Sequence, residues 1–119
     1  MGRKAGPKLE AKRSLVPVSG DKVSEQTFRW ACQMARHSKA QLHAVHVIEI
    51  PMHLPLETED SGAINEGEAI LARMEAIGHE EKCKEVHARS LRARRVGPAI
   101  VMEAEDREMD ALVLSLIHI

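Results

Sequence analysis

The sequence has 119 residues, of which 44% are hydrophobic and 29% charged, and this balance suits a single domain with one core. With one Trp, one Phe and no Tyr, the core must be aliphatic, and aromatic platforms for single-stranded nucleic acid are essentially absent. A net charge of −1 excludes a global basic field that would attract nucleic acid or anionic lipid.

Residues 1–12 are predicted to be a flexible basic N-terminal arm, and residues 13–119 to be the single domain. No apolar stretch approaches the roughly 20 residues that span a bilayer, and the arm lacks the apolar core of a secretory signal. Cys32 and Cys83 belong to no CxxC pair and lie in apolar-periodic segments, so we expect buried, reduced cysteines, with a disulfide between them as the alternative. These features predict a cytoplasmic protein without direct membrane insertion.

The first predicted strand is "SLVPV", residues 14–18, and the Gly and Asp of "SGDKVS" mark a turn after it. Ser24 is the expected N-cap of the first helix, which should end near Ser38. The buried face of this helix is predicted from apolar residues at helical spacing, widened by Trp30 and Met34: Phe28, Ala31, Cys32 and Ala35.

The second strand is predicted over residues 41–50, and its centre is apolar on both sides, as in a strand covered on both faces. Pro51 and Pro55 then break regular structure, and a loop of about a dozen residues follows. A second helix is expected over residues 63–80, with three buried residues at helical spacing: Ile70, Met74 and Ile77.

The third strand is predicted over residues 83–91, with a weaker, half-exposed pattern. Pro98 favours a third helix over residues 96–108, because Pro suits the first helical position. The predicted buried side of that helix consists of Ile100, Val101 and Ala104. Asp110 precedes the fourth strand, predicted over residues 111–119.

Strands and helices thus alternate from the first strand to the fourth. Each link between strands is too long for a hairpin and contains a helix, which indicates parallel pairing with right-handed crossovers. The sequence therefore predicts an α/β fold, an open parallel sheet with helices on both faces.

No catalytic or metal-binding motif stands out. A nucleophile elbow, a phosphate-binding P-loop, an HExxH pair and paired CxxC motifs are all missing, so we expect no enzyme and no metal site. His43 and His46 lie three apart on a strand, on opposite faces, and cannot hold one metal together.

Three stretches of the sequence resemble the universal stress protein family. "SLVPVSGDKVSEQTFRWACQMA" is similar to that family's first strand, turn and Ala-rich helix, and "AQLHAVHVIEIP" to its second strand. "RVGPAIVMEAEDREMDALVL" is the most specific, since it matches the family's Gly-x-Pro helix entry, the helix and the fourth strand. The resemblance runs from about Arg13 to Leu114.

The resemblance implies a Rossmann-like sheet of the adenine nucleotide alpha hydrolase type, in strand order 3-2-1-4, with the family's fifth strand missing here. It also implies a regulatory module in the stress response that forms homodimers. Many members bind ATP, which Mg²⁺ can accompany, and others bind no nucleotide. The alternative is therefore a dimerisation or docking domain that associates with a membrane transporter or another regulatory protein.

In that order, the crossovers leave strands 1 and 4 in opposite directions and open a crevice at their carboxyl ends. The crevice residues of this sequence are expected around Ser19, Gly20 and Asp21, and at Ser115. Backbone N–H groups at a Gly turn and at a helix N-terminus suit an anion.

The resemblance assigns nucleotide-binding positions to eight residues: Pro17, Val18, Ser19, Gly20, Asp21, Val47, Leu114 and Ser115. Ser19 stands where ATP-binding members place an Asp, and it supplies no charge. Asp21, two residues on, is a possible substitute that starts from a different place. Ser115 replaces the family's usual Gly.

The phosphate-binding part of the family pattern, Gly-x2-Gly-x9-Gly-Ser/Thr, does not follow the fourth strand here. We interpret the chain as a C-terminally truncated form whose parent binds ATP, and we expect no tight nucleotide binding by these 119 residues. "LSLIHI" is the translation of CTG-TCT-CTT-ATA-CAC-ATC, which resembles the mosaic end of transposase-based sequencing libraries. We read it as adapter sequence, and the alternative is a genuine strand with this spelling.

Overall fold

Four parallel strands form the centre of the molecule in the computed structural model, which describes residues 12–114. The strands are β1 (Arg13–Pro17), β2 (Gln41–Glu49), β3 (Val86–Ala93) and β4 (Ala111–Leu112). They lie in the order β3-β2-β1-β4, and every neighbouring pair is parallel. The predicted parallel α/β fold is confirmed, together with the strand order that the resemblance implied.

Three helices link the strands: α1 (Lys22–Ala35), α2 (Ser61–Glu80) and α3 (Val96–Asp106). Asp60 caps α2 by accepting hydrogen bonds from the N–H groups of Gly62 and Ala63. The first N–H of α3, on Val96, donates to the Glu49 carboxylate at the end of β2. This contact fixes the start of α3 against the sheet at the carboxyl ends of the strands.

The two faces of the sheet are packed against different helices. Helices α1 and α2 cover one face, where Val16, Leu42 and Ala44 of the strands meet Phe28 and Met74 of the helices. Helix α3 covers the other face, where the alternate strand residues Leu15 and Val45 meet Ile100. We call these the α1/α2 face and the α3 face.

Two details of the predicted helices are wrong. Ser24 is not the cap of α1, because the Asp21 carboxylate accepts the hydrogen bond from the Ser24 N–H at 2.8 Å and Asp21 takes the N-cap position. Pro98 is the third residue of α3 and not the first, since Arg95 is the N-cap. Proline is tolerated there because the first-turn N–H groups have no partner within the helix.

Two predicted core residues are exposed. Trp30 is 51% exposed and lies outside the buried face of α1. Val101 of α3 is also 51% exposed, and Glu103 is buried in its place beside Ile100. The remaining predicted core positions of α1 and α2 are buried, apart from the half-buried Met34.

Strand β3 begins three residues later than predicted. The Cys83 N–H donates to the Gly78 carbonyl at 2.9 Å, and Lys82 has a φ of 60°, so this segment completes the end of α2 as a turn. Pairing with β2 then runs from Val86 to Ala93. Residues 1–11 of the predicted arm (residues 1–12), and Ser115 with the four residues after it in the predicted adapter tail, lie outside the described residues.

Candidate functional site

The crevice that the topology predicts lies where β1 and β4 run side by side. The Val113 N–H donates to the Leu15 carbonyl at 2.9 Å, which continues the β1–β4 pairing past β4. Leu114 follows with its side chain 56% exposed. On the β1 side, Val18 is buried, and Ser19, Gly20 and Asp21 are exposed. The structure therefore brings five of the predicted site residues, from Pro17 to Asp21, together at the end of β1 and in the turn after it, and Leu114 follows the neighbouring strand β4.

Hydrogen bonds to Ser24 hold this turn in shape. The Ser19 N–H donates to the Ser24 hydroxyl at 2.7 Å, and the Ser24 N–H donates to the Asp21 carboxylate. Ser24 is buried inside the first turn of α1. The turn is therefore preorganised by a side chain that sequence reasoning placed at the wrong helix position, although an Asp three residues before a Ser is a recognisable capping signal.

His46 supports the same turn from the neighbouring strand. Its Nδ1 lies 3.2 Å from the Val18 carbonyl oxygen, and because that oxygen can only accept, Nδ1 carries the hydrogen. The ring also lies against Gly67 of α2, where an added Cβ would come within 3.0 Å of His46 Cδ2. We assigned His46 no role from the sequence, although a half-buried polar residue near the end of an apolar strand is a usable signal.

The electrostatics of the turn are set by Asp21. Its carboxylate occupies the N-terminus of α1, where the partial positive charge of the helix stabilises an anion. A second anion bound at that helix end would be repelled by the negative charge of this carboxylate. The Ser19 N–H is also engaged, so the backbone donors expected to suit an anion are partly used within the protein itself.

Val47 and Pro17 form an apolar surface at the edge of the crevice on the α3 face. Val47 is half-buried and packs against the cluster of Leu15, Val45 and Ile100. Pro17 pairs with Val45, two residues before Val47, and alternation directs it to the same face. The predicted site residues thus come together with an apolar side on the α3 face and a polar side at the turn.

The loop after β2 is anchored by Arg94, which sequence reasoning also missed. The Arg94 guanidinium donates to the carbonyl oxygens of Pro51 at 2.6 Å and Leu54 at 2.7 Å. The side chains of residues 51–57 in this loop are exposed. Arg94 therefore acts as a positioning residue that holds the start of this loop near the carboxyl ends of β2 and β3.

His43 and His46 lie on opposite faces of β2, as predicted. His46 lies against Gly67 of α2, whereas His43 shares the α3 face with Val45 and stacks on His87 with ring centroids 4.8 Å apart. Within residues 12–114, no group of three or more His, Cys, Asp and Glu side chains could hold a metal ion. None of the helices described is long and apolar enough to cross a membrane.

Comparisons with known proteins agree with this architecture. The sequence model of the universal stress protein family matches residues 10–116. A search among curated protein sequences finds no similar protein. Solved structures similar to this chain include a protein of that family from Burkholderia pseudomallei, with 15% identity, a TM-score of 0.71, and coverage of 87% of this chain and 80% of that chain.

Two further similar structures contain nucleotides. The universal stress protein from Archaeoglobus fulgidus in complex with dAMP has 21% identity and a TM-score of 0.70, covering 86% of this chain and 78% of that chain. A universal stress protein in complex with cAMP has 18% identity and a TM-score of 0.65, covering 86% of this chain and 70% of that chain. At these identities, the likeness concerns the fold.

Proposed function

Because the chain belongs to the universal stress protein family, we propose that it is a non-enzymatic regulatory module of the stress response that binds adenine nucleotides, ATP among them. The base and ribose would lie in the crevice at the carboxyl ends of β1 and β4. The observation that carries this proposal is the preorganised turn Pro17–Asp21 beside the apolar surface of Val47. That the similar structures hold dAMP and cAMP, which share the adenine base, supports it.

The described residues fit the nucleoside better than the phosphates. Pro17 and Val47 offer an apolar surface for a base, and the exposed Ser19 hydroxyl can donate to or accept from a ribose. The Asp21 carboxylate already occupies the N-terminal end of α1, where the partial positive charge of the helix would otherwise stabilise a bound phosphate. We therefore assign this part of the chain to nucleoside recognition and assign no Mg²⁺ ligand among the described residues.

A titration with three ligands tests this division. The amide resonances of ¹⁵N-labelled chain are followed while adenosine, AMP and ATP are added to millimolar concentration. We expect the shifts to be largest for residues 18–21 and Val47, and adenosine to bind nearly as well as ATP because the described turn adds no phosphate contact. A binding constant for ATP in the micromolar range, with adenosine far weaker, would contradict this assignment.

Two matched substitutions sharpen the test. Val47→Glu puts a carboxylate on the apolar surface and should abolish the shifts, whereas Val101→Glu, at an exposed position of α3, should leave them unchanged. Ser19→Asp supplies the residue that ATP-binding members carry and should strengthen binding. Gln26→Glu adds the same charge at an exposed position of α1 and should have no such effect.

The alternative function is a docking module that binds no nucleotide. The uncharged Ser19 and the engagement of the Asp21 carboxylate as a helix cap favour it. On that reading, the chain would act by forming a homodimer or by binding a transporter or another regulatory protein in the cytoplasm. Absence of shifts with all three ligands, in both the unaltered chain and Ser19→Asp, would exclude the nucleotide proposal, and sedimentation measurements would then establish whether the chain self-associates.

A further inference from the structure

Cys32 and Cys83 form a buried pair away from the crevice. Cys32 lies on α1 with no exposed surface, and Cys83 lies in the turn after α2 with 7% exposed. Both are free thiols, and both belong to the buried cluster of the α1/α2 face.

A network of ion pairs holds the two helices together next to this pair. The Arg29 guanidinium donates to the Glu81 carboxylate at 2.7 Å, and Arg36 donates to the Glu81 carbonyl oxygen at 3.0 Å. Glu81 is the C-cap of α2, two positions before Cys83. These contacts fix the end of α2 against α1 and hold the two thiols in their relative position.

A surface cavity of about 450 Å³ is lined in part by Cys83. Its charged lining consists of Arg36, Lys39, Lys82, Lys84 and Glu85. Cys83 belongs to the lining of this cavity, whereas Cys32 does not and has no exposed surface. The pair therefore has one accessible thiol and one buried partner.

The two thiols differ in acidity. The hydrogen bond from Cys32 lowers the pKa of Cys83 to about 7, aided by a backbone hydrogen bond at Glu85, while burial and the Glu85 charge oppose the change. The same pairing and burial raise the pKa of Cys32, with a smaller contribution from Glu81 that Arg29 opposes. Since the thiolate is the nucleophile, Cys83 is the reactive member at neutral pH.

We propose that Cys83 and Cys32 are a hydroperoxide-reactive dithiol that closes an intramolecular disulfide between α1 and the turn after α2. The Cys83 thiolate attacks one peroxide oxygen, the O–O bond breaks, and Cys83 becomes a sulfenic acid while the leaving oxygen takes a proton as water or alcohol. The Cys32 sulfur then displaces the hydroxyl group, which leaves as water with the Cys32 proton. Two thiols and one hydroperoxide give one disulfide, one water and one further water or alcohol.

This redox chemistry goes beyond the proposed nucleotide binding and does not depend on it. The disulfide would close a loop from residue 32 to residue 83 and lock α1 to the end of α2. Cross-links that close loops of this length restrict the unfolded chain, so the oxidised protein should melt at a temperature higher by on the order of 10 °C.

Mass spectrometry of the intact chain tests the proposal. The folded protein is treated with hydrogen peroxide, denatured and alkylated. We expect the mass to fall by two hydrogen atoms, no alkyl group to be added, and dithiothreitol to restore both thiols. The initial oxidation rate should rise with pH and reach half its maximum near pH 7, following the pKa of Cys83.

Two variants separate the roles of the thiols. In Cys32→Ala, the Cys83 sulfenic acid has no partner and should be trapped by dimedone, whereas in Cys83→Ala the remaining Cys32 should stay reduced. Circular dichroism checks that each variant is folded. If a variant does not fold, the pH dependence of the oxidation rate of the unaltered chain tests the proposal instead. Full alkylation after peroxide, disulfides only between chains, or oxidation of Cys83→Ala at the unaltered rate would each overturn the proposal.

Discussion

The two faces of the sheet are stabilised in different ways. On the α1/α2 face, thirteen buried residues of the described chain form one cluster, and nearly all of them are apolar side chains. On the α3 face, three described residues form the buried cluster, and the helix buries Glu103 beside them. The first face is a conventional aliphatic core, and the second combines a small apolar cluster with ion pairs.

The difference explains where the sequence pattern was informative. Helical spacing of apolar residues identified Phe28, Ile70 and Met74 because an apolar face needs an apolar stripe. The same criterion selected Val101 and overlooked Glu103, since no apolar spacing reveals a carboxylate that is buried against arginines from other positions.

The largest expected effect is loss of core volume on the α1/α2 face. Phe28 has no exposed surface, and Phe28→Ala should lower the free energy of unfolding by about 3–5 kcal/mol. Ile100→Ala on the α3 face should cost less, about 2 kcal/mol, because fewer buried groups surround it. Urea unfolding of both variants measures the two losses of unfolding free energy. Equal losses would contradict the difference between the two faces.

A pair of glycines gives a second comparison. A Cβ at Gly78 of α2 would lie 2.7 Å from Val86 Cγ2, so Gly78→Ala should destabilise the chain by about 1–3 kcal/mol. A Cβ at Gly97 of α3 has nothing within 4 Å, so Gly97→Ala should stabilise it by about 0.5–1 kcal/mol. Melting temperatures that shift in the same direction for both would contradict the packing of α2 against β3.

The ion pairs of the α3 face supply a third comparison. Glu103 forms ion pairs with Arg107, whose Nε lies 2.7 Å from Oε2, and with Arg89, whose guanidinium lies 3.5 Å from the same oxygen, and both arginines are substantially exposed. Arg107→Met leaves the buried carboxylate short of a partner and should cost about 1–3 kcal/mol. Glu103→Met should be near neutral, because the arginines can return to water. If Glu103→Met lowers the free energy of unfolding more than Arg107→Met does, the loss of the carboxylate is worse than the loss of its partner, which would contradict this account.

The smallest expected effect is a pH dependence from His43. Burial lowers the pKa of His43 below its ordinary value of 6.5, helped by His87 and Arg13 and opposed by Glu85. The unfolded chain therefore binds the proton at higher pH than the folded chain, so stability is complete above about pH 6.5 and falls as the solution is acidified. His43→Leu should reduce this loss between pH 5 and 7, and His53→Gln, in the exposed loop, is the matched control.

The site could be predicted less completely than the fold. Alternating strands and helices specified the parallel sheet, and the strand order that the family resemblance implied located the crevice at Ser19, Gly20 and Asp21. The hydrogen bond from His46 to the Val18 carbonyl could not be foreseen, because it depends on how a neighbouring strand meets the turn. Such contacts follow from register, which composition and spacing do not determine.

The most direct test of the proposed crevice is a set of intermolecular nuclear Overhauser effects between adenosine and the methyl groups of the chain. The base protons of adenosine should show effects to the Val47 methyl groups, and none to those of Val101. Effects to methyl groups remote from the ends of β1 and β2, or none at millimolar adenosine, would contradict the assignment of this crevice to a nucleoside.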